Sequence, residues 1–287
     1  EHVDWARTCG FDVVAAGKGT RYLPTYHAST PDTVWEILEQ YLNIQDRSHV
    51  NPKMFNSFID GTKSGIEMTA VCNATGLHAQ KGGLSFPPAT RFECAEICKP
   101  KADGGVLETA GVPEVTSSVY RDGSDVPHLL SMGTYVVITS DSDYALACMK
   151  EYNCLPDTTG RYGALYRPTH MIGLELGVSV ASVALRGEPT GSPITFNSDV
   201  ATTAKRALKA GTVLDGEGGA CVWGRQTPAT DSLKAGYLPL GLASDVTVKR
   251  DIAEGAPITW SDVDIDMDDP AVKYRREMEA AFARPNV

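Results

Sequence analysis

Four residues in the stretch NSFIDGTKSGIEMTAVC, Asn56 to Cys72, carry charged or hydrogen-bonding groups at a spacing suited to proton handling. At roughly 100° per residue, Asn56, Asp60, Lys63 and Glu67 fall within about 60° of one another on a helix circumference. Phe55, Phe58, Ile59, Ile66 and Met68 occupy other directions, while Ser57, Gly61, Ser64 and Gly65 collect on a flank that another element could approach closely. A helix packed on several sides must turn such charges toward a partner, a ligand or a polar cavity, because burying them unpaired is too costly. Asp60 and Lys63, at i and i+3, then make an acid and amine pair able to hold or pass a proton. A solvated face with ordinary ion pairs would give the same pattern, so the stripe gains meaning from the groups around it.

Two further groups bear chemistry. The opening EHVDWARTCGFDVVAAGKGT reads as the end of a helix, a stop at Gly10 and a short apolar strand from Phe11 to Ala16, followed by Gly17, Lys18 and Gly19. In doubly wound sheets ligands bind beyond the carboxyl ends of strands, which places Lys18 beside a ligand and Gly17 and Gly19 beside a cofactor. A basic residue in a tight turn is the simpler alternative. Farther on, RYGALYRPTHMIGLE puts Arg161, Tyr166, Arg167, His170 and Glu175 within fifteen residues. Arginine offers a planar fork to phosphate or carboxylate, and a nearby histidine can donate to an oxyanion or carry a proton near neutral pH. Taken alone, His170 is equally at home as a satisfied structural histidine.

The chain that positions these groups has 287 residues, a net charge of -10 and seven cysteines. Its length allows two domains, and its apolar and charged fractions are those of a globular protein. The acidic balance argues against nucleic acid as a partner but leaves room for a local basic pocket holding a small anionic metabolite. No apolar run reaches the roughly 18 residues of a membrane span, so no membrane partner is expected. The odd, scattered cysteines suit reduced thiols and a cytoplasmic location; Cys94 and Cys98 could meet across a helical turn, without the further ligands that a metal site needs. No G-x-G-x-x-G or G-x-x-x-x-G-K-[ST] fingerprint is present, so the sequence holds no complete nucleotide site.

The segment after Arg21 is turn-rich, then reads as a helix opening near Thr30, Pro31 and Asp32 and carrying Val34, Trp35, Ile37, Leu38 and Tyr41. The Asn56 helix should run to about Gly76. KGGLSFPPAT is a loop, Gly133 to Ser140 a strand, Tyr144 to Tyr152 a helix, and Val178 to Leu185 an apolar strand or helix. The last third contains a repeat: Ala204 to Leu214 aligns with Val248 to Ile258 without gaps. Each copy reads as a strand, a turn closed by Gly211 or Gly255, and a second short strand, so the two imply a pseudo-symmetric β-rich domain. Lys205, Arg206, Lys249 and Arg250 are read as alternating exposed strand positions rather than catalytic groups.

The set AAGKGT, FIDGTKSGIEM, NATGL, GGVLETAGV, YRPTHMIGLE and the doubled KR-x-[LI]-x-x-G resembles homoserine dehydrogenase-like oxidoreductases that carry a C-terminal SAF domain. One branch of these is the 1-deoxy-D-xylulose 5-phosphate reductoisomerase-like enzymes, which reduce and rearrange a sugar phosphate with NADPH. The resemblance implies an N-terminal Rossmann domain, a central catalytic and dimerisation domain and an SAF domain of β-clip type, of which this sequence would hold the last two. The fold class expected is α+β: residues 1–20 the end of a Rossmann-type αβ unit, 21–193 the α/β catalytic and dimerisation domain, and 194–287 the SAF-like domain with a C-terminal helix. Lys18 resembles the lysine that homoserine dehydrogenases place beside nicotinamide and substrate. Asp60 and Lys63 resemble their helical acid and lysine, at i, i+3 here instead of i, i+4. Arg167, His170 and Glu175 resemble a substrate segment of the reductoisomerase-like branch, whereas TRYLPTYHASTPDTVW after Gly19 departs from the loop of that branch.

The function expected is therefore an NAD(P)-dependent oxidoreductase acting on a small hydroxy or oxo acid or a sugar phosphate, as a homodimer or higher homo-oligomer. Lys18 and Lys63 would stabilise charge on the reacting oxygen, Asp60 would position Lys63 or relay a proton, and His170 or His27 would be a secondary acid. Asn56, Glu67, His27, Arg161, Tyr166, Arg167 and Glu175 would contact substrate. NAD(P) would be held mainly by residues outside this sequence, which alone would be inactive; no carboxylate cluster demands a divalent metal, and its involvement stays open. The alternative is a non-catalytic SAF-domain protein that binds a sugar or metabolite or assists flagellar assembly.

Overall fold

The structure is a computed structural model, and it describes residues 1–283. It is of the α+β class, with nine strands in three sheets among the described residues. The strands are β1 (Asp12–Thr20), β2 (Val112–Ser117), β3 (Thr134–Thr139), β4 (Gly163–Arg167), β5 (Ser198–Ala204), β6 (Val213–Asp215), β7 (Val222–Pro228), β8 (Ser244–Val248) and β9 (Val263–Asp264). The α-helices are α1 (His2–Thr8), α2 (Val34–Leu38), α3 (Pro52–Ile59), α4 (Thr62–Thr75), α5 (Cys94–Ile97), α6 (Asp143–Glu151), α7 (Leu176–Arg186), α8 (Ala229–Ala235) and α9 (Pro270–Phe282). Two compact units do not follow chain order: among the described residues one comprises 1–23 and 70–195, the other 24–69 and 196–283. This differs from the expectation of a domain running from 21 to 193, because residues 24–69 cluster with the C-terminal part.

In the first unit a four-stranded mixed sheet has the order β2-β1-β3-β4. The run VVAAGKG is buried throughout, as a central strand covered on both faces should be. It pairs in parallel with β2 and antiparallel with β3. That corrects the reading of residues 1–20 as the tail of a separate Rossmann unit: β1 is an inner strand of the same sheet as β2, β3 and β4. Gly17 and Gly19 lie within the strand, not in a turn after it. A Cβ at Gly17 would sit 1.8 Å from the Glu114 carbonyl oxygen and one at Gly19 1.1 Å from that of Leu130, so glycine is required there by backbone contact. Two apolar clusters fill the unit, one around Val14, Tyr135 and the buried thiols Cys94 and Cys98, the other around Val13, Cys72 and Ile138. The KGGLSFPPAT loop is pinned by Glu114, whose buried carboxylate accepts from the Ser85 and Phe86 amides.

In the second unit the expected Asn56 helix is broken. α3 ends at Ile59 and α4 begins at Thr62, with Gly61 between them at φ +87°, a conformation that favours glycine. Asp60 accepts from the Thr62 amide at 2.8 Å, turning the break into a cap for α4. Past β5, the repeat is written into the backbone hydrogen bonds. Leu208 and Ile252 exchange a pair, at 2.9 and 2.8 Å. The Gly211 amide donates to Val248 O as Gly255 donates to Ala204 O, and Ala204 donates to Ala256 O as Val248 donates to Thr212 O. Each bond is matched by the one between the residues aligned with its partners in the other copy. Leu208, Leu214, Ile252 and Ile258 are all buried in one core.

Candidate functional site

The break at Asp60 positions a densely bonded polar cluster of the second unit. Lys205, in the first copy of the repeat, is buried, and its Nζ lies 2.7 Å from Asp60 Oδ2. The same ammonium donates to the carbonyls of Ser29 and Gly219, each at 2.7 Å. Asn56 ties the same segments together: its Nδ2 donates to Ser29 O at 3.1 Å and Gly218 O at 2.9 Å, while Ser29 Oγ donates to its Oδ1 at 2.6 Å. Burial pushes the Asp60 carboxyl above its ordinary value, and the Lys205 ammonium only partly offsets this.

Asp60 is thus not paired with Lys63, and the reading of a continuous stripe is corrected, because the chain turns at Gly61 and sends the residues after it along a new axis. Lys205 corrects the sequence reading in the opposite sense: the position assigned to exposed strand alternation is one of the most buried charges in the molecule, while Arg206, Lys249 and Arg250 are exposed. Its only sequence signal was membership of a repeat whose other copy has an exposed lysine at the same place.

His27 adjoins the cluster. Its Nδ1 lies 2.8 Å from Asp60 O, and since a carbonyl only accepts, that nitrogen carries the hydrogen and Nε2 is the basic one in the neutral ring. The ring stacks on Trp223 at 3.8 Å between centroids. Burial first, then the positive charges of Lys205 and Arg225, hold its pKa below the ordinary histidine value against the opposing Asp60 carbonyl.

Lys63 lines a groove of about 270 Å³ with Asn51, Lys53, Met54, Ser57, Phe58 and Glu217. Two ammoniums, one carboxylate, an amide, a hydroxyl and two apolar side chains meet there. The groove is shaped by the Glu217–Gly219 turn pressing on α3: a Cβ at Gly218 would come within 1.9 Å of Lys53 O. Glu67 is half-buried one turn beyond Lys63 on α4.

In the first unit the sequence-predicted residues are spread out. Lys18 is buried within β1, level with Val115 and Thr134, and not in a loop. Arg161 lines a cleft of about 310 Å³ with Lys150, Thr158 and Thr159 ahead of β4. Arg167 lies at the far end of that strand and pairs with Glu175. An extended chain rises about 3.3 Å per residue, so Arg161 and Arg167 stand roughly 20 Å apart and do not form one anion site. Tyr166 packs edge-on to Phe92 with ring centroids 6.1 Å apart and receives Arg91 over its face. His170 Nδ1 faces Met132 O at 2.8 Å, which again leaves Nε2 as the basic nitrogen. Gly17 and Gly19, sealed against carbonyls, cannot cradle a dinucleotide phosphate. Among the described residues no three His, Cys, Asp or Glu side chains gather to hold a metal ion.

Residues 1–176 match the family described as oxidoreductase DRL, catalytic domain. The chain belongs to the DRL oxidoreductase family. Residues 201–264 of this DRL oxidoreductase match the SAF domain, the segment that contains both copies of the repeat and Lys205. No match to a curated protein was found. Within the DRL oxidoreductase, Lys63, from the catalytic-domain match, and Glu217, from the SAF match, line the same groove. No helix of the described residues is long and apolar enough to cross a membrane.

Proposed function

We propose that this DRL oxidoreductase acts on a small hydroxylated anion, a sugar phosphate or hydroxy acid, with NAD(P) as its redox partner, and that the Lys63 groove binds the substrate. The observation that carries this reading is the lining of that groove. Lys53 and Lys63 supply donors for a phosphate or carboxylate, Glu217 accepts from hydroxyls, and Met54 and Phe58 offer apolar surface to a carbon skeleton. A hydroxylated anion uses all three, whereas a neutral sugar leaves the ammoniums unanswered and an aliphatic acid leaves Glu217 unanswered. The catalytic-domain match favours this reading over a non-catalytic SAF-domain binding protein.

Among the described residues Gly17 and Gly19, the glycines expected beside a cofactor, are packed against carbonyl groups and do not fit a dinucleotide phosphate. No step is therefore derived through NAD(P). Lys18 is proposed as a charge-stabilising residue of the reaction, as the resemblance to homoserine dehydrogenases implies. His170, expected as a secondary acid, is proposed instead as a proton acceptor through Nε2, the basic nitrogen of its neutral ring.

Calorimetric titration with inorganic phosphate, a pentose phosphate and the matching free pentose tests the groove. The phosphate ester should bind and the free sugar should not, and Lys63→Ala should weaken binding by about ten- to a hundredfold, the worth of one charge-assisted hydrogen bond. Equal binding of ester and free sugar, or a Lys63→Ala protein that binds as before, would overturn the assignment.

A further inference from the structure

Arg161, parted from Arg167 by the length of β4, shares its cleft of about 310 Å³ with a different cation, Lys150 from the last turn of α6. Both residues are exposed, and among the described residues neither the guanidinium nor the ammonium makes a hydrogen bond or an ion pair. The one carboxylate of the lining, Asp157, does not answer them. Its side chain is fully buried, and its oxygens are taken by Lys99, Thr159 Oγ1 and the Arg161 and Tyr162 amides. Glu96, beside the same turn, is occupied as well: one oxygen accepts from Lys99 and the other from the Thr158 amide, each at 2.8 Å. On a chain of net charge -10, two unanswered cations thus meet in one cleft. The turn that presents Arg161 is fixed through its backbone. The Asp157 amide donates to Tyr162 O at 2.8 Å, Thr139 Oγ1 donates to Arg161 O at 2.8 Å, and Gly160 supplies a φ of +72°.

We infer that this cleft is a second anion site, sharing no residue with the Lys63 groove, and that it takes a phosphate monoester with a short apolar substituent. Two separate cations call for a dianion. A phosphate monoester carries a charge of about −1.5 to −2 near pH 7 and can answer both, whereas a monocarboxylate answers one. The arginine fork can bind two of its oxygens and the Lys150 ammonium a third, since each cation has its donors to spare. What lies around the cations sets the rest of the ligand. Leu146, Ala147 and Pro156 supply apolar surface, and with Asp157 used up there is no free carboxylate to accept from hydroxyls, as Glu217 can in the Lys63 groove. The volume is at the small end of ligand cavities, which run from about 300 to 1,000 Å³, so the substituent is short. The two sites therefore select differently: the groove for a hydroxylated anion, the cleft for one whose carbon skeleton is bare.

Calorimetric titration of the 287-residue protein carrying Lys63→Ala tests this, because that background keeps the groove out of the reading whether or not the groove binds anions. The ligands are n-propyl phosphate, glycerol 3-phosphate and propionate. The first should bind at a single site per chain and more tightly than the second, with propionate weakest. Arg161→Gln and, separately, Lys150→Gln should each weaken n-propyl phosphate by about ten- to a hundredfold, the worth of one charge-assisted hydrogen bond. Lys81→Gln, at an exposed position outside the cleft, should leave binding unchanged. Should one cleft variant fail to fold by circular dichroism, the other, on a different element, still tests the site. A Lys150 that only complements the carboxyl end of α6 would give a lower melting temperature in Lys150→Gln and unaltered binding, and the inference would fall. No binding of n-propyl phosphate, binding that survives either cleft replacement in a folded protein, an equal loss with Lys81→Gln, or glycerol 3-phosphate bound as tightly would also overturn it.

Discussion

Each unit buries one lysine against an aspartate, and the two aspartates respond in opposite ways. In the first unit Lys99 Nζ lies 2.8 Å from both Asp157 and Glu96. Asp157 also accepts from Thr159 Oγ1 and from the Arg161 and Tyr162 amides. Burial opposes its ionisation, but these donors and the Lys99 ammonium outweigh burial, and the carboxyl lies below its ordinary value. In the second unit Asp60 has the Thr62 amide and Lys205, and burial wins. On Asp157 the combined pull of the Lys99 ammonium and the neutral donors exceeds the cost of burial, whereas on Asp60 the cost of burial exceeds the pull of Lys205 and Thr62. The functional consequence is that Asp157 is a fixed anion that closes the turn before β4, whereas Asp60 is a carboxylate whose charge depends on Lys205.

That difference can be broken by removing each lysine in turn. Lys205→Met should be the most damaging change, costing about 3–5 kcal/mol, because it leaves Asp60 buried with a single donor and unties the segments around Ser29 and Gly219. Urea titration followed by far-ultraviolet circular dichroism would measure it. Lys99→Met should cost less, about 2–3 kcal/mol, since Asp157 keeps three other donor groups. If Lys99→Met proved the costlier, the donors that remain on Asp157 would not cushion the loss of its lysine.

The smallest effect expected is in the pH dependence, and its sign differs between the pairs. Asp157, held below its ordinary value of 3.8, contributes stability that is fully present above that value and is lost as pH falls through its depressed one. Asp60, held above 3.8, contributes stability present below that value and lost as pH rises through its raised one. Melting temperatures followed from about pH 3 to 7 should accordingly show a shallower acid loss for Asp157→Asn and a shallower decline on the rising side for Asp60→Asn. Parallel curves for the two variants would remove the contrast.

Much of this arrangement was legible in the residue order because it rests on short-range physics. The Gly10 stop, the apolar run of β3, the α6 helix and the two aligned copies at Ala204 and Val248 follow from periodicity and turn residues within a dozen positions. The repeat even anticipates which backbone amides pair, since Leu208 and Ile252 occupy equivalent places and bury together. The chemistry was less legible. Lys63 was found from its helical spacing, and the structure places it in a groove, but its supposed partner Asp60 pairs with a lysine 145 positions away, as 205 − 60 shows.

What the sequence determined alone was the kind of elements, the doubled C-terminal motif and the resemblance to an oxidoreductase carrying an SAF domain. Tertiary structure decided which charges are buried. Whether Lys205 or Lys249 goes inside depends on what lies across from it: Ser29, Asp60 and Gly219 surround the first, and no such set of acceptors surrounds the second, although the local sequences match. It likewise decided that Gly17 and Gly19 serve strand packing and not a cofactor. A buried charge needs several partners brought together from distant parts of the chain, and no local pattern encodes that convergence.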